Sequence, residues 1–275
     1  MEKKKILYVS QEIFPYMSQS NMGDLSSALP QLMQEHGKDI RIFLPRFGTV
    51  NERRHQLHEV IRLSGMNLII DDFDHQLIIK VASIQQQRMQ VYFIDNEEYF
   101  PRRQMFHDFE GKLLENNDER MIFYCKGVIE TVRKLGWSPD VIHCQGWFTS
   151  LVPMYIKKLY AEDPLFENTK IIYSAFDNGY KGKLSDTIID KLLFENLEPS
   201  DLLGLKNLNV NTLNKFAISY SDAIVQASES INKTVLTAIE NSEKPFLAFP
   251  GNEDYEKEYL NFYDSFIKEE EEVEA

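Results

Sequence analysis

Lys5-Ile6-Leu7-Tyr8-Val9-Ser10, then Gln11 to Met22, then Gly23-Asp24 and a helical stretch, then Ile40-Arg41-Ile42-Phe43-Leu44, is the run whose reading decides the fold. It is a buried strand, a loop, a helix opening at Gly23-Asp24 and a second strand. A strand–helix–strand unit places its two strands parallel with the helix on one face of the sheet. Open α/β sheets keep ligands outside the carboxyl ends of their strands, which points to Ser10 through Asp24. A helix N-terminus there offers free N–H groups and a positive dipole end, suited to a phosphate or a sugar oxygen.

Outward from that unit, alternating strand and helix patterns continue. Residues 57–70 and 76–84 alternate apolar and polar positions. With Met89-Gln90-Val91-Tyr92-Phe93-Ile94-Asp95 they predict a small antiparallel insertion over about 55–95. Residues 97–111 read as a loop with a short helix. Asn117-Asp118 is expected to cap a helix with apolar positions Ile122, Cys125, Val128, Ile129 and Val132, ended by Gly136. Strands are expected at 139–144, 170–174 and 222–227. Helices are expected at 148–160, 212–220 and 229–239, with helix or loop at 186–205. This is an α/β pattern with a mainly parallel sheet, a Rossmann-like three-layer domain over 1–252. An acidic helix or tail follows at 253–275, with Tyr259, Phe262, Phe266 and Ile267 on one helical face. That face is expected to pack back onto the domain before the glutamate run at 269–274 frays.

The 275 residues carry a net charge of −13, with 43% hydrophobic and 27% charged side chains. Nothing builds a basic stripe, so nucleic acid is not expected as a partner. The apolar run after Lys3-Lys4-Lys5 stops at Val9, too short for a signal-peptide core, and no run reaches membrane-spanning length. Cys125 and Cys144 have no zinc-like spacing and read as buried thiols of a reduced, cytoplasmic protein.

Generic motifs are missing. Only Gly23 stands where a dinucleotide-binding turn would need three glycines, and there is no phosphate-binding loop, nucleophile elbow or His-Glu-x-x-His. No residue is nominated as catalytic, and no metal or cofactor is called for. The polar candidates are His143 at a strand end, which equally fits a core histidine bonded to backbone, and Asp24, which also fits a helix-start carboxylate. Trp147 is a sugar-stacking candidate, though such an aromatic more often packs.

Several ordered stretches resemble bacterial and plant glycogen and starch synthases, retaining glucosyltransferases of the GT-B fold. They are Lys5-Ile6-Leu7-Tyr8-Val9-Ser10-Gln11-Glu12-Ile13-Phe14-Pro15, Met22-Gly23-Asp24-Leu25, Ala28-Leu29-Pro30 and Leu44-Pro45-Arg46-Phe47. Downstream come Asn117-Asp118-Glu119-Arg120-Met121, Gly136-Trp137-Ser138-Pro139-Asp140-Val141-Ile142-His143, Trp147 to Pro153, Tyr180-Lys181-Gly182 and Tyr220-Ser221-Asp222-Ala223-Ile224-Val225. The resemblance implies the N-terminal, acceptor-side domain of an enzyme that acts on a nucleotide sugar and a glucan. It carries Glu12, Gly23, Asp24 and His143 over as ligand-binding residues. The donor-side domain is not represented.

Against that pattern several positions have changed. The family's loop lysine, which would meet the donor's phosphates, is Ser18, and the following glycines are Ser20 and Asn21. The aspartate before the motif tryptophan is Gly146, and a histidine after the 170–174 strand is Phe176. Losing one donor to a developing anion typically costs ~10²–10³ in rate. The resemblance therefore implies a single domain without independent transferase activity, a pseudoenzyme binding a glucan or a protein. Its partner, a second copy included, would meet a face near Phe14, Tyr16, Met17 and Met22. The alternatives are the acceptor half of a split glucosyltransferase and a module holding an unrelated anion at the Gly23 N–H.

Overall fold

The computed structural model describes residues 3–84, 89–101, 104–177, 179–251 and 255–268. Their α/β fold is built on one mostly parallel sheet. In chain order the first elements are β1 (Lys5–Ser10), α1 (Asn21–Glu35), β2 (Asp39–Pro45), β3 (His58–Glu59), β4 (Met66–Ile70), β5 (Phe73–Ile84) and β6 (Met89–Asp95). Then come α2 (Asn117–Leu135), β7 (Val141–Gln145), α3 (Val152–Lys158), β8 (Lys170–Ala175), α4 (Ile188–Leu193) and α5 (Val210–Tyr220). The last are β9 (Ala223–Gln226), α6 (Lys233–Glu240), β10 (Phe246–Leu247) and α7 (Tyr255–Lys268).

The strands lie in the order β10-β9-β8-β7-β1-β2-β6-β5-β3, with β4 beside β5. From β10 to β6 every pairing is parallel. The insertion does not stand apart. β5 pairs antiparallel with β6, so β3 to β5 extend the main sheet. The chain builds outward from β1 through β2 to β6, then returns to the other side of β1 at β7. That reversal makes β1/β7 the topological switch point, and the crevice of an open sheet lies at the carboxyl ends of such a pair.

Helices cover both faces. On one, α5 meets β8 through a hydrogen bond from Tyr173 Oη to Asn214 Oδ1 at 2.6 Å, and α2 donates from Tyr124 Oη to the carbonyls of Ser10 and Phe43 at 2.8 and 3.0 Å. On the other, α7 packs beside α1 and inserts Tyr263 against Tyr8 and His143.

Local chemistry shifts several expected boundaries. α1 begins at Asn21, because Ser20 takes the cap and its Oγ accepts from the Gly23 N–H at 2.9 Å. Asn117-Asp118 does not cap α2. The cap position is Asn116, and Asn117 is drawn into tertiary contacts instead, donating to the Phe106 carbonyl at 2.8 Å and accepting from Arg120 at 2.6 Å. Gly136 ends α2 at φ 60°, the left-handed conformation glycine adopts at little cost. The helix expected at 148–160 is a 3₁₀ turn at Trp147–Thr149 followed by α3, with Pro153 in its first turn, where a missing N–H costs nothing. α6 begins at Lys233 because Asn232 caps it through the Thr234 N–H at 2.9 Å. Described residues of 97–111 form turns and a bridge from His107 to Leu113, without the short helix.

Candidate functional site

The loop after β1 arrives at the switch point with Gln11 and Glu12. Glu12 is half-buried and accepts from Ser20 Oγ at 2.8 Å and Gln11 Nε2 at 3.0 Å. Gly23 lies in the first turn of α1. Its N–H is taken by Ser20, so the donor expected to meet an anion is already paired. The carbonyl of Gly23 accepts from the Phe14 N–H at 3.1 Å, and a Cβ at 23 would come within 3.3 Å of that nitrogen. Glycine here lets the loop lie against the helix.

Asp24 faces outward on the first turn and accepts from Gln19 Nε2 at 3.1 Å. It lines a cleft of roughly 550 Å³ together with Asn21, Leu25, Ser228, Glu229 and Tyr255. Tyr259 and the Phe249–Gly251 stretch complete the walls. This cleft runs between the start of α1, the end of β9 and the start of α7.

His143 does not open into it. The imidazole is fully buried, with Nε2 bonded to Ser174 Oγ at 2.7 Å and Nδ1 to the Tyr263 hydroxyl. Tyr263 Oη donates to Tyr8 Oη at 3.0 Å, so a neutral ring donates from Nδ1 and accepts at Nε2. Burial pushes the His143 pKa down to about 3, because charging the ring would strand a cation away from water. Of the four expected site residues, Glu12, Gly23 and Asp24 thus cluster through Ser20 and Gln19, while His143 lies apart beneath α7. The residues that isolate it, Tyr8, Ser174 and Tyr263, were not singled out from the sequence. A usable signal was present: polar residues recur at every second position in apolar strands, at Tyr8 and Ser10 and at His143 and Gln145.

Past β7 the chain turns through Gly146 at φ 90°. A Cβ there would meet Met22 Cε at 2.7 Å and Gln11 Oε1 at 2.9 Å. Gln11 is itself fixed, since its Oε1 accepts from the Phe148 N–H at 3.2 Å. The space a side chain at 146 would need is filled. Trp147 is buried against Phe106, Phe148 and Tyr180, so it packs and offers no face to a sugar. The surface expected near Phe14 is also corrected. Phe14 is 42% exposed, but Tyr16, Met17 and Met22 are buried in the core and form no patch.

Other charged clusters pair internally. Lys191 bridges Asp118 and Glu119 at 2.7 Å, Lys126 meets Glu195 at 2.6 Å, and Asp95 holds Arg46 and Lys80 at 2.9 Å. Among the described residues no group of His, Cys, Asp and Glu is arranged to hold a metal ion, and no helix is long and apolar enough to cross a membrane.

Residues 5–245 match the family model of the starch synthase catalytic domain. The chain belongs to that family. Glycogen synthase from Chlorobium luteolum is 37% identical over 210 residues, covering 76% of this chain and 42% of the relative. Glycogen synthase from Chlorobaculum parvum is 33% identical over 241 residues, covering 86% and 48%. The chain therefore spans about half the length of the curated relatives it matches. Its fold superposes on the catalytic domain of starch synthase IV from Arabidopsis thaliana, solved with ADP and acarbose bound. The TM-score is 0.73 at 19% identity, over 90% of this chain and 51% of that one. Within this starch synthase fold the well-matched Arg120 is structural. It is buried, donates to the carbonyls of Tyr99 and Met105 at 2.8 and 2.6 Å, and lies over the Phe47 and Phe100 rings.

Proposed function

We propose that this starch synthase domain recognises a neutral glucan chain in the cleft beside α1 and does not transfer glucose on its own. The observation that carries the reading is the contrast between an open cleft and a filled corner. The cleft of roughly 550 Å³ falls in the usual size range for a ligand site. Asp24, Glu229 and Asn21 supply acceptors for sugar hydroxyls, and Phe249 and Tyr255 supply apolar surface for the sugar face. Among the described residues no lysine or arginine lines it and two carboxylates do, which favours a neutral sugar over a nucleotide diphosphate or another anion. Transfer would need cationic or N–H donors on the leaving phosphate and two substrates held near attack geometry. Ser18 stands in place of the loop lysine, the Gly23 N–H is occupied, and the space at 146 is closed. The same features weigh against the split-enzyme alternative.

The test is calorimetric titration of the full chain with maltoheptaose. Saturable binding is expected, weakened at least ~10-fold in Asp24→Ala, the equivalent of one charge-assisted hydrogen bond. Absence of heat at millimolar sugar would overturn the reading.

A further inference from the structure

Parallel register aligns Tyr8, His143 and Ile172 in one row across β1, β7 and β8, and Ser10, Gln145 and Ser174 in the next. Residues two apart share a face of a sheet, so these six form a block on one side of the three central strands. Five are polar, and all six are 0% exposed. The opposite face of the same strands carries Leu7, Val9, Ile142, Cys144, Ile171 and Tyr173. A face that served only as core would look like the second; burying five polar side chains is costly unless each finds partners.

Partners are nearly but not completely supplied. Ser10 Oγ donates to Gln145 Oε1 at 2.6 Å, and Ser174 Oγ meets His143 at 2.7 Å. Among the described residues the remaining ring nitrogen and the Tyr8 hydroxyl are satisfied by Tyr263. Gln145 Nε2 is buried with no acceptor among the described residues. The cover is α7, which packs beside α1 and the two-residue edge strand β10 and buries Tyr259, Tyr263 and Ile267. Its link to α1's flank is a 3.6 Å pair from Lys38 to the half-exposed Asp264. One turn before Tyr263, Tyr259 lines the open cleft. A molecule in that cleft is therefore one helical turn from the block.

We infer that the polar block is a latent binding site for a neutral, hydroxyl-rich ligand, held shut by α7, with the Tyr263 hydroxyl standing where a ligand hydroxyl would bind. Displacing the helix frees Tyr8 Oη and His143 Nδ1 beside Gln145 Nε2, which already lacks an acceptor among the described residues. These mixed donor and acceptor groups carry no net charge, the match for a polyol and a poor match for an anion. The inference concerns the face beneath α7 and stands apart from the cleft reading above.

The experiment titrates maltotriose into the full chain, Tyr263→Ala, Tyr263→Ala with Gln145→Leu, and Tyr263→Ala with Asp24→Ala. Tyr263→Ala is expected to bind at least ~10-fold tighter than the parent. The gain should vanish with Gln145→Leu and persist with Asp24→Ala. A folded Tyr263→Ala chain with unchanged affinity overturns the inference, even where Asp24-dependent binding by the parent upholds the cleft. Should Tyr263→Ala fail to fold, native-state hydrogen exchange on the parent decides. A displaceable helix opens its 259–267 amides at least ~10-fold more readily than those of β1 and β7. Exchange of α7 only through global unfolding contradicts it.

Discussion

The two faces of β1, β7 and β8 are made by the same three strands and are equally buried, yet they are chemically opposite. The face under α2 and α5 is mainly apolar and closes chiefly by packing, with Tyr173 and Tyr124 adding hydrogen bonds through their hydroxyls. The face under α7 is polar and closes by hydrogen bonds whose last partner comes from a tyrosine 120 residues away from His143. Burial alone therefore does not distinguish structural core from potential site. The kind of partner that closes a face does. A packed apolar face loses stability when opened, whereas a polar face regains hydration and loses much less.

That difference can be broken first by truncation. Ile142→Ala on the apolar face should cost ~2–5 kcal/mol in urea unfolding, and Ser174→Ala on the polar face nearer ~1 kcal/mol. Equal costs would remove the distinction. Next, Gly146→Asp restores a carboxylate the family pattern carries. It should destabilise by ~2–3 kcal/mol, because its Cβ meets Met22 and Gln11 and its backbone sits at φ 90°. Unchanged stability would mean the corner is not filled.

The mildest effect concerns pH. His143 is held down to about 3 in the folded chain, while an unfolded histidine titrates near ~6.5. The unfolded state then binds the extra proton across that window, so stability is complete above the unfolded value and falls as the solution is acidified. The loss is about 2 kcal/mol between about pH 7 and about pH 5, and His143→Gln should flatten that part of the profile. A profile unaffected by His143→Gln would argue against a neutral, sealed ring.

Much of the fold was legible because strand cores and turn residues act locally. Lys5–Ser10, Val141–Gln145 and Lys170–Ala175 announce themselves as apolar runs, and Gly136 marks its helix end. The candidate site was legible only in part. Asp24 was named from its place at the start of α1 and from the family resemblance, and it lies half-buried there, lining the cleft. The state of His143 depends on α7, whose buried stripe is Tyr259, Tyr263 and Ile267. The helical face read from sequence took Phe262 in place of Tyr263. Tyrosine is amphipathic, and its hydroxyl had no visible partner until β1 and β7 were brought beneath it; Phe262 is only half-buried. The Phe266 side chain and the glutamate run at 269–274 lie outside the described residues. The filled corner at Gly146 was likewise invisible, since Met22 and Gln11 reach it from another element.

The most direct measurement is transfer of labelled glucose from ADP-glucose to a maltooligosaccharide by the purified chain alone. Incorporation is expected to be indistinguishable from a no-protein control under conditions where maltoheptaose binding is saturated. Turnover above that control, lost in Asp24→Ala, would contradict this and show that a filled corner and a sealed histidine do not prevent catalysis.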